Sequence, residues 1–268
     1  MKTIFDIDFS SLYYQHLTSC NHHHIPAEKW DAKAEKMAKH LVEKTSHYTE
    51  TLLQAINIQA DETVLDIGCG PGTLALPLAK QCQYVYALDY SQGMLSVLAQ
   101  YQQRWHLSNI STIHTSWEEN WDNVPQVDVI VASRSTLVSD LDQAIDKIIS
   151  KAKKRVYLTA TTQAHFLDPA ILRAIGREDD TGFPSYIYLL NRLYQRGIQA
   201  ELTFIPSDVA TYQGENFSDL LKSVEFTLSN LTNSEKLALE NFHNERINSN
   251  TPIKHGQAKW ALIYWCIS

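Results

Sequence analysis

Cysteine is scarce in this chain: there are four in 268 residues, at positions 20, 69, 82 and 266, with no CxxC pair among them. That argues against a disulfide scaffold or a zinc ribbon and fits a reducing compartment. Positive charge is scarce too. Lys and Arg number 23 against 30 Asp and Glu, a formal net charge of −7, and they are scattered apart from KAKKR at 151–155. A field for tracking a phosphate backbone is therefore lacking, and nucleic acid is not expected as a partner. Long apolar runs are missing as well. The longest, WALIYWCI at 260–267, is too short to cross a bilayer and reads as a buried strand. The opening MKTIFDIDFSSLYYQH sets Asp6 and Asp8 where a signal peptide needs an unbroken apolar stretch. A soluble, cytoplasmic protein with no membrane partner is the expectation.

What is present is enough for a core. Hydrophobic residues make up 44% of the chain, and the length suits one large α/β domain, alone or with an appendage. From Ala27 to Asn57, apolar residues at Trp30, Ala34, Met37, Leu41, Tyr48, Leu52 and Ile56 follow helical spacing, with a possible break near Thr45–His47. Beyond them strands and helices alternate. Strands are expected at 63–67, 84–88, 111–115, 127–132 and 155–161, and helices at 73–81, 92–106, 141–153 and 186–196. Near-continuous Val/Ile/Leu/Tyr strands between helices predict a parallel sheet covered on both faces. After residue 197 the pattern changes. Strands at 198–205 and 257–267 flank a polar, partly helical stretch, read as an insertion at about 207–256 packed on the domain's edge. The division expected is a helical extension over 1–57 and a main domain over 58–268.

The stretch VLDIGCGPGTLALPLA at 64–79 holds three glycines between a strand and a helix. A Walker loop needs Lys followed by Ser or Thr after its last glycine, whereas Gly72 precedes Thr73 and Leu74. A dinucleotide loop spaces its glycines GxGxxG; Gly68, Gly70 and Gly72 run GxGxG, and Asp66 stands two residues before the first. A carboxylate there repels a pyrophosphate and suits a ligand carrying positive charge.

DIGCGPG at 66–72 resembles motif I of the class I S-adenosylmethionine-dependent methyltransferases, whose cofactor has an amino group and a sulfonium in place of phosphates. The resemblance runs from about residue 45 to the C-terminus. It implies an α/β, Rossmann-like fold with a seven-stranded, mostly parallel sheet and helices on both faces. A closing hairpin, an N-terminal helical lid and a helical insertion before the last strand complete it. S-adenosyl-L-methionine is the implied cofactor, with Asp66, Gly68, Cys69, Gly70 and Gly72 around its methionine and ribose part. Asp89, ending the next strand, suits both ribose hydroxyls, although NAD sites share that chemistry. Tyr90 and Met94 resemble residues that flank the adenine; Met94 is equally a core filler. Where many relatives carry an Asp for the adenine amino group, HTSWEENW at 114–121 offers Ser116 and Trp117 instead. Trp117 and Trp121 otherwise cover the sheet.

The fourth strand delivers Ser133, Arg134 and Ser135 to the edge where open α/β sheets bind ligands. Ser133 belongs with the cofactor set. Arg134 suits an anionic substrate, the cofactor's carboxylate or a structural acid. No Asp/Asn-Pro-Pro-Tyr/Phe, no cysteine and no glutamate pair marks this edge for amino-group, pyrimidine or arginine methylation. His165 is the best-placed general base by chain position, or else a solvated loop residue. Tyr14 and Trp30 are substrate candidates on the N-terminal segment. Most of the stripe Tyr186, Tyr188, Tyr194 reads as core, and the loop before it as a substrate contact. CNHHHIP, with Cys20 and His22 to His24, reads as a solvated loop, and no metal is expected. The leading expectation is methyl transfer to a small-molecule oxygen, nitrogen or carbon. The alternatives are an NAD-dependent oxidoreductase, a non-catalytic S-adenosylmethionine- or S-adenosylhomocysteine-binding protein, and an RNA or protein methyltransferase. Oligomeric state is left open.

Overall fold

The computed structural model describes residues 2–20, 25–44, 46–207, 210–212, 216–228, 230–255 and 258–267. The histidine run at 22–24 lies outside them. Helix α1 (Phe9–Ser19) is capped by Asp8, whose carboxylate accepts from the Ser11 N–H. The amphipathic stretch that follows forms three helices: α2 (Ala27–Asp31), α3 (Ala34–Leu41) and α4 (His47–Ile56). Ser46 caps α4 through the Thr49 N–H, and Asn57 closes it with a left-handed φ of 45°. The α2–α3 break, which apolar spacing does not signal, falls right after Asp31, whose side chain is used to cap another helix.

The alternating region then runs β1 (Thr63–Ile67), α5 (Ala75–Ala79), β2 (Tyr84–Asp89), α6 (Gln92–Arg104), β3 (Ile110–His114), β4 (Val127–Ser133), α7 (Leu141–Lys151) and β5 (Ala152–Ala160). After it come α8 (Pro169–Ala174), α9 (Tyr186–Gln195), β6 (Glu201–Pro206), β7 (Ala210–Tyr212), α10 (Phe217–Thr227), α11 (Asn233–Asn248), β8 (Ile253–His255) and β9 (Lys259–Cys266). Seven strands form one sheet in the order β3-β2-β1-β4-β5-β9-β6, while β7 and β8 pair separately. Strands β1 to β5 are parallel, and β9 runs antiparallel to both β5 and β6. This is the seven-stranded, mostly parallel sheet that the sequence predicts.

Period-two alternation sorts the strand residues between two cores. Val64, Val129 and Val131 join one cluster with α3 to α6, and Leu65, Ile67 and Ile130 join the other with α1, α7 and α9. Two differences from expectation have local causes. Helix α5 starts at Ala75, not 73, because the glycine turn uses the residues up to Leu74. Strand β5 begins three residues early, so KAKKR lies at a strand start. There Lys154 meets Glu62 and Asp128, and Arg155 meets Glu62 at 2.6 Å. Two of the run's four cations, Lys154 and Arg155, are thus taken up in structural ion pairs.

The stretch between β6 and β9 does more than lie on an edge. Leu220, Val224, Leu239 and Phe242 from α10 and α11 build a third hydrophobic cluster with Ile171 and Leu172 of α8. Arg177 and Glu235 pin it with a 2.5 Å contact, and the guanidinium holds the Glu235 carboxyl down at about 2.

Candidate functional site

The C-terminal ends of β1, β2, β4 and β5 converge on the glycine turn. Asp66 is buried, and its Oδ2 has no hydrogen-bond partner. Burial, and then the nearby Asp89 charge, push its carboxyl up to about 7, with the Ala75 N–H acting the other way. An orphaned buried carboxylate oxygen is costly, and a cationic donor would relieve it. Gly68, Gly70 and Gly72 all have positive φ. A Cβ on Gly68 would lie 2.4 Å from Ser135 Cβ, so that glycine permits close packing of the turn on the segment that follows β4. A Cβ on Gly70 would meet nothing within 4 Å. Gly70 is the glycine whose missing side chain leaves open space, as a ligand cradle requires. Cys69 is buried between them, its thiol pushed well up by burial.

Asp89 is also buried, and both its oxygens are engaged. Gly70 N–H donates to Oδ2 at 2.8 Å, and Ser91 N–H to Oδ1 at 2.9 Å. Burial still raises its carboxyl above the ordinary range. Each oxygen keeps a lone pair for a further donor. The turn after it is held from outside. The Tyr90 hydroxyl donates to the Ile25 carbonyl at 2.8 Å. Asp31 Oδ1 accepts from Ser91 Oγ at 2.6 Å and from Gly93 N–H at 2.8 Å, so α2 caps α6. Met94 points into the core and is buried there.

In the loop after β3, Ser116 Oγ accepts from the Glu118 and Glu119 amides. The Trp117 ring stacks on Trp121 with centroids 5.2 Å apart, and its Nε1–H donates to the Ser135 carbonyl at 2.9 Å. Lys147 donates to the Trp117 and Glu119 carbonyls. Both indoles therefore have a packing role, and the loop is rigidly tied to β4.

At the end of β4, Ser133 Oγ lies 2.8 Å from the Tyr48 hydroxyl, which also meets Thr159 Oγ1 at 2.9 Å. Arg134 has φ 58°, and its N–H donates to Thr159 Oγ1 at 2.9 Å. Its guanidinium carbon sits 4.1 Å from the Tyr48 ring centre and 6.0 Å from that of Trp260. Trp30 is half-buried and meets Phe226 of α10 edge-on at 5.5 Å, with Lys33 Nζ over the same Phe226 ring. The extension and the insertion thus touch each other.

One candidate falls elsewhere, and another is engaged by a neighbouring loop. Tyr14 is 57% exposed on the outer side of α1, whereas its neighbour Tyr13 turns inward and donates to the Val138 carbonyl. His165 has Nε2 3.0 Å from the Asp180 carbonyl, within a clip that joins the loops at 162–168 and 177–185. The tyrosine stripe divides: Tyr186 and Tyr188 pack on the core, and Tyr194 is exposed against Phe5. Sequence reasoning missed Tyr48, Thr159, Asp31 and Ser91. The first looks like one more apolar helix position, and the other three need the tertiary fold to meet their partners.

A family model described as a methyltransferase domain matches residues 64–155, from β1 into β5. The chain belongs to the class I S-adenosylmethionine-dependent methyltransferases. An uncharacterized protein of Haemophilus influenzae is 60% identical to it over 263 residues, 98% of each chain. A probable cobalt-precorrin-6B C(15)-methyltransferase (decarboxylating) of Methanocaldococcus jannaschii is 33% identical over 69 residues, 26% of this chain and 38% of its own. Among solved structures, a putative methyltransferase from Bacillus halodurans superposes with a TM-score of 0.56 at 14% identity, over 81% of this chain and 97% of that one. That last likeness concerns the fold.

S-adenosylmethionine is the cofactor of this methyltransferase, and the residues present suit it. Asp66 carries the orphaned oxygen a cationic amino group would satisfy, and Gly70 leaves the space beside it. No helix among the described residues is long and apolar enough to cross a membrane, and no group of three or more His, Cys, Asp or Glu among them is placed to hold a metal.

Proposed function

We propose that this methyltransferase acts on a small-molecule acceptor, held between the glycine turn and the end of β4 beneath the N-terminal helices. The observation that carries the reading is the Trp30–Phe226 contact. It joins α2, already bonded through Asp31 to the turn that follows β2 and Asp89, with α10 of the insertion. Segments from both ends of the chain that meet beside the site favour an enclosed acceptor over a polymer. The pairing of Lys154 and Arg155 of KAKKR with Glu62 and Asp128 adds support.

In this reading Asp66, Gly68, Cys69, Gly70 and Gly72 hold the methionine and ribose portion, and Asp89 accepts from the ribose hydroxyls. Tyr90 borders the adenine, with Met94 behind it in the core and Ser116 or the Trp117 backbone opposite, and Ser133 lies near the methionine end. S-adenosylmethionine, when bound, supplies an activated methyl group. An acceptor would need a lone pair aligned with that methyl group and a route to water for any proton it carries. The chain's own residues contribute alignment and exclusion of water. The Asp31 and Tyr90 bonds keep the cofactor turn in place, and Trp30 and Trp260 offer apolar walls. His165, engaged with Asp180, is not needed as a base for acceptors already deprotonated at neutral pH.

The test is incubation of the purified enzyme with methyl-labelled S-adenosylmethionine and three separate pools: deproteinised small molecules, total RNA and soluble protein. Label in the first pool alone is expected; label confined to either macromolecular pool would overturn the reading.

A further inference from the structure

We infer that the acceptor carries an oxyanion, a carboxylate or phosphate, and that Arg134 is the residue that binds it. This rests on the small-molecule reading above and adds the chemical class. Arg134 stands directly after β4, between Ser133, bonded to Tyr48, and Ser135, whose Oγ donates to the Ile67 carbonyl at 2.6 Å. Ser135 is also the residue that Gly68 packs against. The Arg134 backbone is thus one residue from a contact with the glycine turn.

Its backbone is held in a left-handed conformation, φ 58°, that a long L side chain seldom adopts. Such strain persists where the surroundings impose it, and it gathers at functional sites. Here the constraint comes from the Arg134 N–H bond to Thr159 Oγ1. The conformation sends the side chain back over the Tyr48 ring at 4.1 Å, with Trp260 at 6.0 Å. The guanidinium is held at the Tyr48 side chain, with which it also hydrogen-bonds, and its remaining donors belong to an exposed residue. A planar fork held in that way matches the two oxygens of a carboxylate or phosphate.

The charge pattern agrees. Arg104, Arg155, Arg177, Arg192 and Arg196 each lie against a carboxylate. Arg134, although exposed in a chain of net charge −7, has no ion-pair partner among the described residues. Arg173 on α8 and Arg246 on α11 share that lack, but they lie on helices away from the strand ends, whereas Arg134 directly follows β4.

The experiment splits the small-molecule pool on an anion exchanger at neutral pH before the reaction, then assays wild type, Arg134→Gln and Arg134→Lys with labelled methyl donor. S-adenosylhomocysteine and methylthioadenosine, which lacks the amino-acid part, are titrated into each protein. Acceptor activity is expected in the retained fraction, falling at least about tenfold in Arg134→Gln and partly restored in Arg134→Lys. S-adenosylhomocysteine binding should stay within about twofold of wild type, since a uniform loss would signal a damaged cofactor site. Acceptor activity confined to the unretained fraction would overturn the inference and leave the small-molecule reading standing. It would also fall if Arg134→Gln weakened S-adenosylhomocysteine but not methylthioadenosine, because the arginine would then hold the cofactor's own carboxylate. Absence of label in both fractions, with S-adenosylhomocysteine still bound, would remove the small-molecule reading and this inference together.

Discussion

Gly70 and Asp89 are joined by a 2.8 Å hydrogen bond from the glycine N–H to Oδ2, across 19 residues of chain. The bond locks the glycine turn to the end of the next strand, and it makes Asp89 both a scaffold and a binding residue. Asp89→Asn keeps one acceptor oxygen and should fold, with a stability loss of about 1–2 kcal/mol and a larger loss of S-adenosylhomocysteine affinity. Asp89→Ala leaves two buried amides unpaired and should cost about 2–4 kcal/mol. Urea denaturation paired with calorimetry separates the two effects.

The glycines of the turn predict opposite phenotypes. Alanine at Gly68 places a Cβ 2.4 Å from that of Ser135, so Gly68→Ala should destabilise by about 1–3 kcal/mol through overpacking. Alanine at Gly70 meets no neighbour, and only its left-handed φ of 54° resists, at about 1 kcal/mol. Gly70→Ala should therefore melt near the wild type while binding S-adenosylhomocysteine poorly, because the new methyl group fills the cradle.

Asp66 sets a pH dependence. Its carboxyl is raised from 3.8 to about 7 in the folded chain. Between those values the folded state holds a proton that the unfolded chain has released, so the ligand-free protein should lose stability as pH rises through that window. Asp66→Asn should flatten the decline. A cationic ligand reverses the demand on this group, so S-adenosylhomocysteine affinity should increase as pH rises through about 7. Melting scans and titrations at several pH values check both signs.

The α2 clasp yields a dynamic prediction. Asp31→Ala removes the acceptor for Ser91 Oγ and Gly93 N–H. Gly93→Ala reaches the same result differently, by placing a Cβ 2.8 Å from the Asp31 Cα. Both should speed hydrogen exchange in α2 and α3 and raise the S-adenosylhomocysteine off-rate, while β1, β4 and β5 keep wild-type protection.

Much of this arrangement is legible in the sequence, because it rests on local pattern. Apolar strands between helices mark the parallel sheet, and Asp66, Gly68, Gly70 and Asp89 stand close in sequence to the turns they organise. What escapes has non-local causes. Asp31 caps α6 from 60 residues away, and Tyr48 meets Ser133 and Thr159 across separations of 85 and 111. Helical spacing registers Tyr48 only as apolar and says nothing of its hydroxyl. Tyr13 and Tyr14 are adjacent, and composition does not tell which one a helix will turn inward. His165 looks available until the fold brings Asp180 to it.

The most direct measurement is calorimetric titration of the purified protein with S-adenosylhomocysteine and, separately, with NAD, for wild type, Asp89→Asn and Gly70→Ala. Binding of S-adenosylhomocysteine to the wild type, weakened in both variants and with no heat from NAD, is the predicted result. Binding of NAD instead, or S-adenosylhomocysteine binding unchanged by either substitution, would contradict the placement of the cofactor at this turn.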